Sequence, residues 1–256
     1  MNLDDIGEPF AVGNTATVYL FENKIIKVFN DNLPETESIN EAYKQEYAYS
    51  CGIRVPKVLD VTKIDGKQAL LMEYIPGKTI GELISRNPEQ EEHYMSLSID
   101  IQQKIHQCDG HSIELMSTKL NRQIKFAPNL KNNLKEMLVD KLDSMPFESR
   151  LCHGDYHIYN VIITDNRAAT IDWVDASVGN IRADVCRTYL LYSQFSGEMA
   201  DMYLNLYCKK SGLSKAEILE WTPIIAAARL SESVSTESSD RLLKIINHYI
   251  EAINGV

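Results

Sequence analysis

The sequence of 256 residues lacks the features that mark several large classes of protein. It has no excess of basic residues, because 26 lysines and arginines stand against 36 aspartates and glutamates, for a net charge of −10. Nucleic-acid-binding domains usually carry the opposite balance, so we expect no nucleic-acid partner. No apolar run approaches the ~20 residues that a membrane-spanning helix needs. Residues Met1 to Asp5 also lack the basic start of a signal peptide. We therefore predict a cytoplasmic protein with no membrane partner, and the oligomeric state stays open.

Cysteine is scarce and its spacing excludes two kinds of site. The five cysteines are an odd number, and no two of them form a Cys-x-x-Cys pair, so neither a zinc ribbon nor a thioredoxin-type site is available. We expect reduced thiols, mostly buried, as in proteins of a reducing compartment. The five positions are Cys51, Cys108, Cys152, Cys186 and Cys208.

The first third of the chain has the pattern of a β-rich domain around one helix. The composition is ordinary for a globular chain, with 44% apolar and 24% charged residues. Ser38 followed by Glu41 is a capping-box signature, and it predicts a helix that ends near Gly52. Asn23 and Asp65-Gly66 are typical of tight turns between paired strands. The four predicted strands are Thr15–Phe21, Lys24–Phe29, Val58–Thr62 and Gln68–Tyr74.

Helical patterns dominate after Pro76-Gly77. A short β-rich interruption runs from Val161 to Ile171, with its turn at Asp165-Asn166. We predict two domains, residues 1–75 and residues 76–256. The predicted helices are Thr79–Arg86, Glu91–Gln107, Asn129–Leu142, one that begins near Arg182, and one that carries apolar residues at helical spacing from Leu242 to Ile253.

One stretch has the residue order that phosphoryl transfer requires. Asp155 lies in a His-Gly-Asp sequence, Asn160 follows five residues later, and Asp172 follows after a further twelve. Phosphoryl transfer needs a carboxylate at the acceptor hydroxyl, together with an amide oxygen and a second carboxylate on Mg²⁺. We assign the first role to Asp155 and the other two to Asn160 and Asp172. A hairpin between the last two would bring them to one rim.

These residues resemble the aminoglycoside phosphotransferase family, which is related to choline kinase and, more distantly, to protein kinases. The resemblance rests on His153-Gly154-Asp155-x-His157-x-x-Asn160 and on Ile171-Asp172-Trp173, and it extends from about residue 6 to about residue 195. It implies an α+β, bilobal protein-kinase-like fold, with a small antiparallel β-rich N-lobe and a larger, mainly helical C-lobe. It also implies ATP and Mg²⁺ as cofactors.

Lys27 is the residue that this resemblance places on the α- and β-phosphates of ATP. It lies in the middle of a predicted strand, on the same face as Ile25 and Phe29, where a lysine is costly unless it meets an anion. The related kinases pair this lysine with a glutamate on the next helix. Glu41 fits the family spacing best, with Glu46 as the alternative, although Glu41 could instead complete the capping box.

Two further segments resemble nucleotide-binding elements of the family. Residues 11–18 stand where kinases carry a glycine-rich loop but keep only Gly13, so Gly13 and Thr15 are expected to approach the phosphates through the backbone. Residues 70–77 resemble the hinge, where the Glu73 carbonyl and the Ile75 amide would contact adenine. His153 and His157 are interpreted as residues that shape the loop rather than metal ligands. Asp184 matches a family aspartate that braces this loop, or is a first-turn helix acid.

The acceptor is expected to be a hydroxyl of a small molecule that could be cationic, because the chain has no room for the activation segment of a protein kinase after Asp172. The resemblance favours an aminoglycoside and hence antibiotic resistance. Choline, thiamine, homoserine, macrolides and sugars are the alternatives, followed by an atypical protein kinase and a catalytically silent regulator. Residues that could recognise an amino-sugar, or could simply be solvated, are Asp175, Glu232, Glu237 and Asp240.

Overall fold

A computed structural model describes residues 2–164, 167–232, 234 and 236–254. The chain divides into two compact units, one formed by Met1–Pro88 with Ile158–Asp175 and the other by Glu89–His157 with Ala176–Val256. This grouping places residues 76–88 and 158–175 with the predicted N-terminal domain, and the predicted domain ranges themselves stay a prediction. The predicted turn at Asp165-Asn166 lies outside the described residues. None of the helices in the described ranges is long and apolar enough to cross a membrane.

The strands are short, and most of them belong to the first unit. In chain order, the strands of the described residues are β1 (Ala11–Val12), β2 (Ala16–Phe21), β3 (Lys24–Phe29), β4 (Val58–Ile64), β5 (Lys67–Glu73), β6 (Lys78–Thr79), β7 (Arg150–Cys152), β8 (Val161–Thr164), β9 (Arg167–Thr170) and β10 (Ser177–Gly179).

The helices are concentrated in the second unit. Over the same residues they are α1 (Leu3–Ile6), α2 (Glu37–Ser50), α3 (Ile80–Arg86), α4 (Glu91–His106), α5 (Met116–Phe126), α6 (Asn132–Ser144), α7 (Ile181–Ser193), α8 (Gly197–Ser211), α9 (Lys215–Leu219), α10 (Thr222–Leu230) and α11 (Ser239–Asn254). Two 3₁₀ turns occupy Pro88–Gln90 and Ile158–Asn160.

The main sheet of the first unit is antiparallel, in the order β1-β2-β3-β5-β4. Its two hairpins turn where the sequence predicts. Glu22 and Asn23 have φ of 47° and 60°, and Asp65 and Gly66 have φ of 50° and 81°. Positive φ at both central residues is the requirement of a type I′ turn, which matches the twist of paired strands. The turn chemistry therefore sets the register of β2 on β3 and of β4 on β5.

Each face of this sheet carries its own apolar cluster, because successive side chains of a strand point to opposite faces. Ile26 and Val28 of β3 pack on one face with Tyr19 and Ile64. Phe29 packs on the other face with apolar side chains that include Ala42 of α2. Lys27 shares the Phe29 face, as predicted, and it is buried.

Helix α2 begins differently from the prediction. It starts at Glu37 rather than at a Ser38 cap, and Thr36 precedes it without a side-chain capping bond. The Ser38 amide donates instead to Gln68 Oε1 at 3.0 Å. The capping box was therefore the wrong interpretation of Ser38 and Glu41, because a tertiary partner holds each of them. The end near Gly52, which has φ of 80°, is confirmed.

Two small pairings complete the first unit. Strands β8 and β9 form the predicted hairpin, and β6 adds to its β8 edge. Helix α3 lies directly against the turn that precedes β8. A Cβ on Gly81 would come within 2.3 Å of the Tyr159 ring, so only glycine permits this approach.

The second unit is built around α7, which is buried on several sides because Val185, Cys186, Arg187 and Thr188 are all inaccessible. Helices α8, α9 and α10 pack against it. The sequence did not predict α5, α8, α9 or α10. The expectation of mostly buried thiols was wrong, because all five cysteines are free but only Cys152 and Cys186 are buried.

Candidate functional site

In the first unit, Lys27 joins two carboxylates that are far apart in the sequence. Its Nζ donates to both carboxylate oxygens of Glu41, at 2.7 and 2.8 Å, and to Asp172 Oδ1 at 2.8 Å. Glu41 comes from α2 and Asp172 from the segment after β9. The alternative partner, Glu46, is exposed on the same helix. The structure therefore brings together three of the residues that the sequence selected and pairs Lys27 with Glu41.

Burial and charge oppose each other in this cluster. Burial disfavours the ammonium of Lys27, but Asp172 and Glu41 outweigh that cost and raise its pKa above the ordinary value. Burial raises the pKa of Glu41 to about 7, although Lys27 pulls it down. One cation therefore faces two carboxylates, and burial makes Glu41 hold a proton more tightly than an ordinary glutamate does.

The β8–β9 hairpin places Asn160 next to the residue that precedes Asp172. Val161 pairs with Thr170, and the Ile171 amide donates to the Asn160 carbonyl at 3.0 Å, which extends the ladder by one step. Asp172 follows at once, with φ of 65°. An aspartate at positive φ is uncommon, and such strain is typical of functional positions. The predicted rim is therefore formed by the backbone register of one hairpin.

The donor chemistry of this rim fits magnesium. Asn160 and Asp172 offer an amide oxygen and a carboxylate, which are the hard oxygen ligands that Mg²⁺ takes in proteins. The Asp172 side chain keeps 38% of its surface exposed while Oδ1 accepts from Lys27. A cation would therefore find an accessible carboxylate here.

The expected nucleotide-binding backbone lies at the ends of the main sheet. Gly13 and Thr15 lie in the turn between β1 and β2, where the Gly13 amide donates to the Ala16 carbonyl at 2.9 Å. Glu73 ends β5, and Ile75 follows it as a buried residue. The contacts of these residues with phosphates and adenine stay predictions.

In the second unit, a hydrogen bond to Asp184 holds the loop that carries Asp155. Gly154 has φ of 80°, which favours glycine, and its amide donates to Asp184 Oδ1 at 2.8 Å. The Asp155 amide donates to His153 Nδ1 at 3.3 Å. These contacts agree with the predictions that Asp184 braces the loop and that His153 shapes it.

Asp184 belongs to a buried network that the sequence did not indicate. His106 Nε2 lies 2.8 Å from Asp184 Oδ2, and His106 Nδ1 lies 2.9 Å from the Tyr207 hydroxyl. Burial works against the Asp184 charge, but the hydrogen bonds from His106 and Gly154 lower the pKa of this carboxyl.

The same network accounts for a possible metal-ligand cluster. The ligand atoms of His106, Cys152 and Asp184 lie within 4.8 Å of one another. Both ring nitrogens of His106 already have hydrogen-bonding partners, however, and burial raises the pKa of the Cys152 thiol well above its ordinary value. Metal ligation requires a thiolate and an imidazole nitrogen lone pair, so we interpret this cluster as a structural brace.

The Asp155 carboxylate lies beside two nitrogen-bearing side chains of the second unit. His157 Nε2 is 3.6 Å from its Oδ2, and Arg187 is 4.0 Å from its Oδ1. The Asp155 side chain retains 25% of its surface exposed. It therefore combines accessibility, which a proton acceptor requires, with a permanently charged neighbour, Arg187.

Glu232 and Glu237, which were considered for amino-sugar binding, both pair with arginines. Glu232 accepts from Arg187 at 2.6 and 3.1 Å. The Glu237 side chain is 3% exposed and accepts from Arg229 and Arg241, each at 2.9 Å. The sequence analysis missed all three arginines. Arg187 and Arg229 are 45 and 8 residues from their partners and follow no local spacing, whereas Arg241 follows Glu237 at i,i+4, a spacing that could have indicated that pair.

Comparison with known proteins gives the same fold. A putative fructosamine-3-kinase from Haemophilus somnus superimposes with a TM-score of 0.69 at 15% identity, covering 94% of this chain and 90% of that chain. A thermostable mutant of aminoglycoside phosphotransferase APH(4)-Ia in its apo form gives 0.67 at 15% identity, covering 94% and 89%. A choline/ethanolamine kinase family protein from Mesorhizobium loti gives 0.60 at 15% identity, covering 94% and 84%. The predicted α+β protein-kinase-like fold is confirmed.

Sequence comparison identifies the family. Acyl-CoA dehydrogenase family member 11 from Homo sapiens is 21% identical in an alignment 185 positions long that covers 62% of this chain. The chain spans only 24% of the length of that relative. The model of the phosphotransferase enzyme family matches residues 6–219, which is most of the chain. The predicted family resemblance is thereby confirmed, and the chain belongs to the phosphotransferase enzyme family.

Proposed function

We propose that this protein transfers the γ-phosphoryl group of ATP to a hydroxyl of a small molecule, with an aminoglycoside-type acceptor favoured. The observation that carries the proposal is the buried Lys27, which Glu41 and Asp172 hold at 2.7–2.8 Å in the first unit. A buried ammonium between two carboxylates is costly as a purely structural device. It is, however, the arrangement that related kinases use to hold the phosphates of a nucleotide.

Lys27 and the turn between β1 and β2 bind the phosphates that are not transferred. Glu41 fixes the Lys27 ammonium, so that its position does not depend on the nucleotide. The backbone of Gly13 and Thr15 approaches the phosphates, and the backbone of Glu73 and Ile75 recognises adenine. These contacts orient the γ-phosphorus for in-line attack, and orientation supplies a large share of the rate in phosphoryl transfer.

Asn160 and Asp172 would hold the magnesium ion that accompanies ATP. When bound there, the ion would supply positive charge that offsets the charge of the phosphates. The fit rests on the oxygen donors of the two side chains and on the accessible Asp172 carboxylate. Asp172 at the same time accepts from Lys27, so the side chain that binds the metal is linked to the one that binds the phosphates.

Asp155 accepts the proton of the acceptor hydroxyl. The hydroxyl oxygen forms a bond to the γ-phosphorus, the bond from that phosphorus to the β–γ bridging oxygen breaks, and ADP leaves. The proton passes to a carboxylate oxygen of Asp155. Asp184, through the Gly154 amide, and His153, through the Asp155 amide, hold the loop on which this carboxylate lies.

The aminoglycoside preference draws on the family and on structures of the same fold. One of them is a ternary complex of a thermostable APH(4)-Ia mutant with ADP and hygromycin B. An acidic surface suits a polycationic acceptor, and Asp175 and Asp240 remain candidates to bind amines. If this preference is right, expression of the gene confers aminoglycoside resistance on a susceptible bacterium.

A neutral sugar or another metabolite is the second candidate, and one observation favours it. Glu232 and Glu237, which could have recognised amino groups, already bind arginines. Fewer carboxylates then remain for a polycation. Choline, thiamine, homoserine and macrolides belong to the same group of alternatives. An atypical protein kinase and a silent nucleotide-binding regulator rank below it, because Lys27, Asp155, Asn160 and Asp172 are all present.

The test is a coupled ADP-release assay with magnesium-ATP or magnesium-GTP. Aminoglycosides, macrolides, choline, thiamine, homoserine and sugars are offered in turn. We expect turnover with one class and its loss in Asp155→Ala, by about 10²–10⁴-fold, which is the contribution of a positioned general base. Asp109→Ala, an exposed aspartate of the same unit, is the matched control and should behave as wild type. Turnover that survives in Asp155→Ala contradicts the role of the base.

A further inference from the structure

Arg187 is buried in the middle of α7 and lies between two carboxylates of the second unit. Its guanidinium makes a two-pronged contact with Glu232, with Nη1 at 2.6 Å and Nη2 at 3.1 Å from the two carboxylate oxygens. Nη2 also lies 4.0 Å from Asp155 Oδ1. The second distance is beyond a hydrogen bond, which needs about 3.2 Å or less. The arginine is therefore bonded to Glu232 and only adjacent to Asp155.

This asymmetry needs a cause, because a buried guanidinium attracts every nearby carboxylate. Glu232 is fixed from two other sides: Gln123 Nε2 of α5 donates to its Oε1 at 3.0 Å, and Arg229 Nη1 lies 3.8 Å from its Oε2. Its side chain is only 15% exposed. A carboxylate held in this way offers the planar guanidinium a fixed partner, and a bidentate pair is the strongest contact that arginine makes.

We infer that Glu232 is an anchor that keeps Arg187 beside the Asp155 carboxylate and not on it, and that both are positioning residues for phosphoryl transfer. The inference rests on the proposed role of Asp155 as proton acceptor. A guanidinium bonded directly to Asp155 would engage, in charge-assisted hydrogen bonds, the oxygen that the acceptor hydroxyl must approach. At 4.0 Å the same cation holds the carboxylate by attraction and leaves that approach open.

The inference predicts what happens when the anchor loses its charge. In Glu232→Gln the guanidinium loses its anionic partner, while the shape of the side chain and the contact with Gln123 can persist. Arg187 then turns to Asp155, whose carboxylate already lies 4.0 Å from its Nη2. Because the base is engaged by this new pair, the variant is slow although Asp155 itself is unchanged. Removing the arginine as well should release the base, so the double variant Glu232→Gln/Arg187→Gln should be faster than the single one.

Crystal structures provide the first measurement, and they require no acceptor. We expect the distance from Arg187 to Asp155 to shorten from 4.0 Å to about 2.8 Å in Glu232→Gln, the length of a charge-assisted hydrogen bond. Glu148→Gln is the matched control, because Glu148 pairs with Arg182, which lies on α7 as Arg187 does. This variant should leave Arg187 in place. An unchanged Arg187 in Glu232→Gln overturns the inference. Glu232→Asp keeps the negative charge, so it tests the inference even if Glu232→Gln does not fold. We expect Arg187 to stay away from Asp155 in Glu232→Asp, and movement of Arg187 onto Asp155 in this variant also overturns the inference.

Turnover provides the second measurement, with the acceptor from the panel or, in its absence, with water in magnesium-ATP hydrolysis. We expect kcat of Glu232→Gln to fall about a hundredfold with little change in KM for ATP, as when a general base is lost. The kcat of the double variant should be at least about tenfold higher than that of Glu232→Gln. The effects of the two substitutions on kcat are then non-additive, which a purely structural role of the two residues does not predict. A double variant as slow as the single one overturns the inference. Failure of the proposed function is distinguishable, because the wild type would then be inactive while the crystal distances still test the anchor.

Discussion

Two buried cations, Lys27 in the first unit and Arg187 in the second, each lie between a pair of carboxylates and contact them differently. Lys27 bonds to both of its partners, Glu41 at 2.7 Å and Asp172 at 2.8 Å. Arg187 bonds to Glu232 at 2.6 Å and stays 4.0 Å from Asp155. The first cluster therefore joins one cation and two carboxylates by hydrogen bonds. In the second cluster Arg187 is hydrogen-bonded to Glu232 and lies near Asp155 without a hydrogen bond to it.

The chemistry of the two side chains explains the difference. The ammonium of lysine is a compact charge with three donors that can serve carboxylates in several directions. The guanidinium of arginine is a planar fork that commits two donors to one carboxylate. A lysine thus suits the position where a carboxylate, a phosphate and a metal must be joined. An arginine suits the position where a charge must stand near a reactive carboxylate without occupying it.

The largest expected effect comes from removing the cation of the first cluster. Lys27→Met keeps the length of the side chain but leaves Glu41 buried without this partner. Removing one partner of a buried ion pair costs about 3–5 kcal/mol, so the free energy of unfolding should fall by that amount. Denaturant-induced unfolding measures it.

Lys24→Met is the matched control for this substitution, because Lys24 begins the same strand and is exposed. Its unfolding free energy should stay within about 0.5 kcal/mol of wild type, as for ordinary surface substitutions. Equal losses in Lys24→Met and Lys27→Met would contradict the assignment of the cost to the buried cluster.

A smaller effect should separate the two clusters by nucleotide affinity. Asp172→Ala removes a carboxylate from the first cluster, and we expect the Kd of magnesium-ATP to rise by about 10–100-fold, because a proposed metal ligand is lost. Asp155→Ala changes the second cluster and should leave that Kd within about threefold of wild type, since general-base catalysis acts on the chemical step. Isothermal titration calorimetry of both variants decides the point. Unchanged affinity in Asp172→Ala would remove this residue from the proposed metal site.

The smallest expected effect is a pH dependence of stability that belongs to the first cluster. Burial raises the pKa of Glu41 to about 7 from an ordinary value of 4.5, so the folded chain keeps a proton that the unfolded chain has already released. The contribution of the Glu41 proton to the free energy of unfolding is fully present below pH 4.5, the ordinary pKa of the unfolded chain. It is lost as the pH rises through about 7, the pKa in the folded chain. The Tm of the wild type, measured by thermal unfolding, should therefore fall between pH 5 and pH 8 relative to Glu41→Gln, which cannot titrate. A parallel pH dependence in both proteins would contradict the shift.

Local signals predicted the first unit well. The turns at Asn23 and Gly66 follow from chain chemistry alone, and the alternation along β3 placed Lys27 on the face of Phe29. The order of Asp155, Asn160 and Asp172 indicated phosphoryl transfer, because that chemistry constrains both residue types and spacing. The error at Ser38 arose because one local pattern fits two structures, and a long-range contact decided between them.

Long-range partners explain what the sequence did not predict. His106 and Tyr207 are separated by 101 residues, and Arg187 and Glu232 by 45, so no periodicity joins them. Helix α10 was missed for another reason: it is buried nearly all round, so it lacks the alternation of apolar and polar faces by which a helix is identified. Sequence periodicity identifies helices that have a solvent-exposed polar face, and α10 has almost no such face.

The return of residues 158–175 to the first unit has a consequence for synthesis on the ribosome. All strands of the five-stranded sheet have been synthesised once the ribosome reaches Glu73. The partner of β6, which is β8, and the second partner of Lys27, which is Asp172, are synthesised later. Synthesis at about 5–20 residues per second separates Glu73 from Asp175 by about 5–20 s. During that interval Glu41 is available to Lys27, whereas Asp172 has not yet been synthesised. The ion cluster is therefore assembled in two steps, one near the start of translation and one when about two thirds of the chain exists.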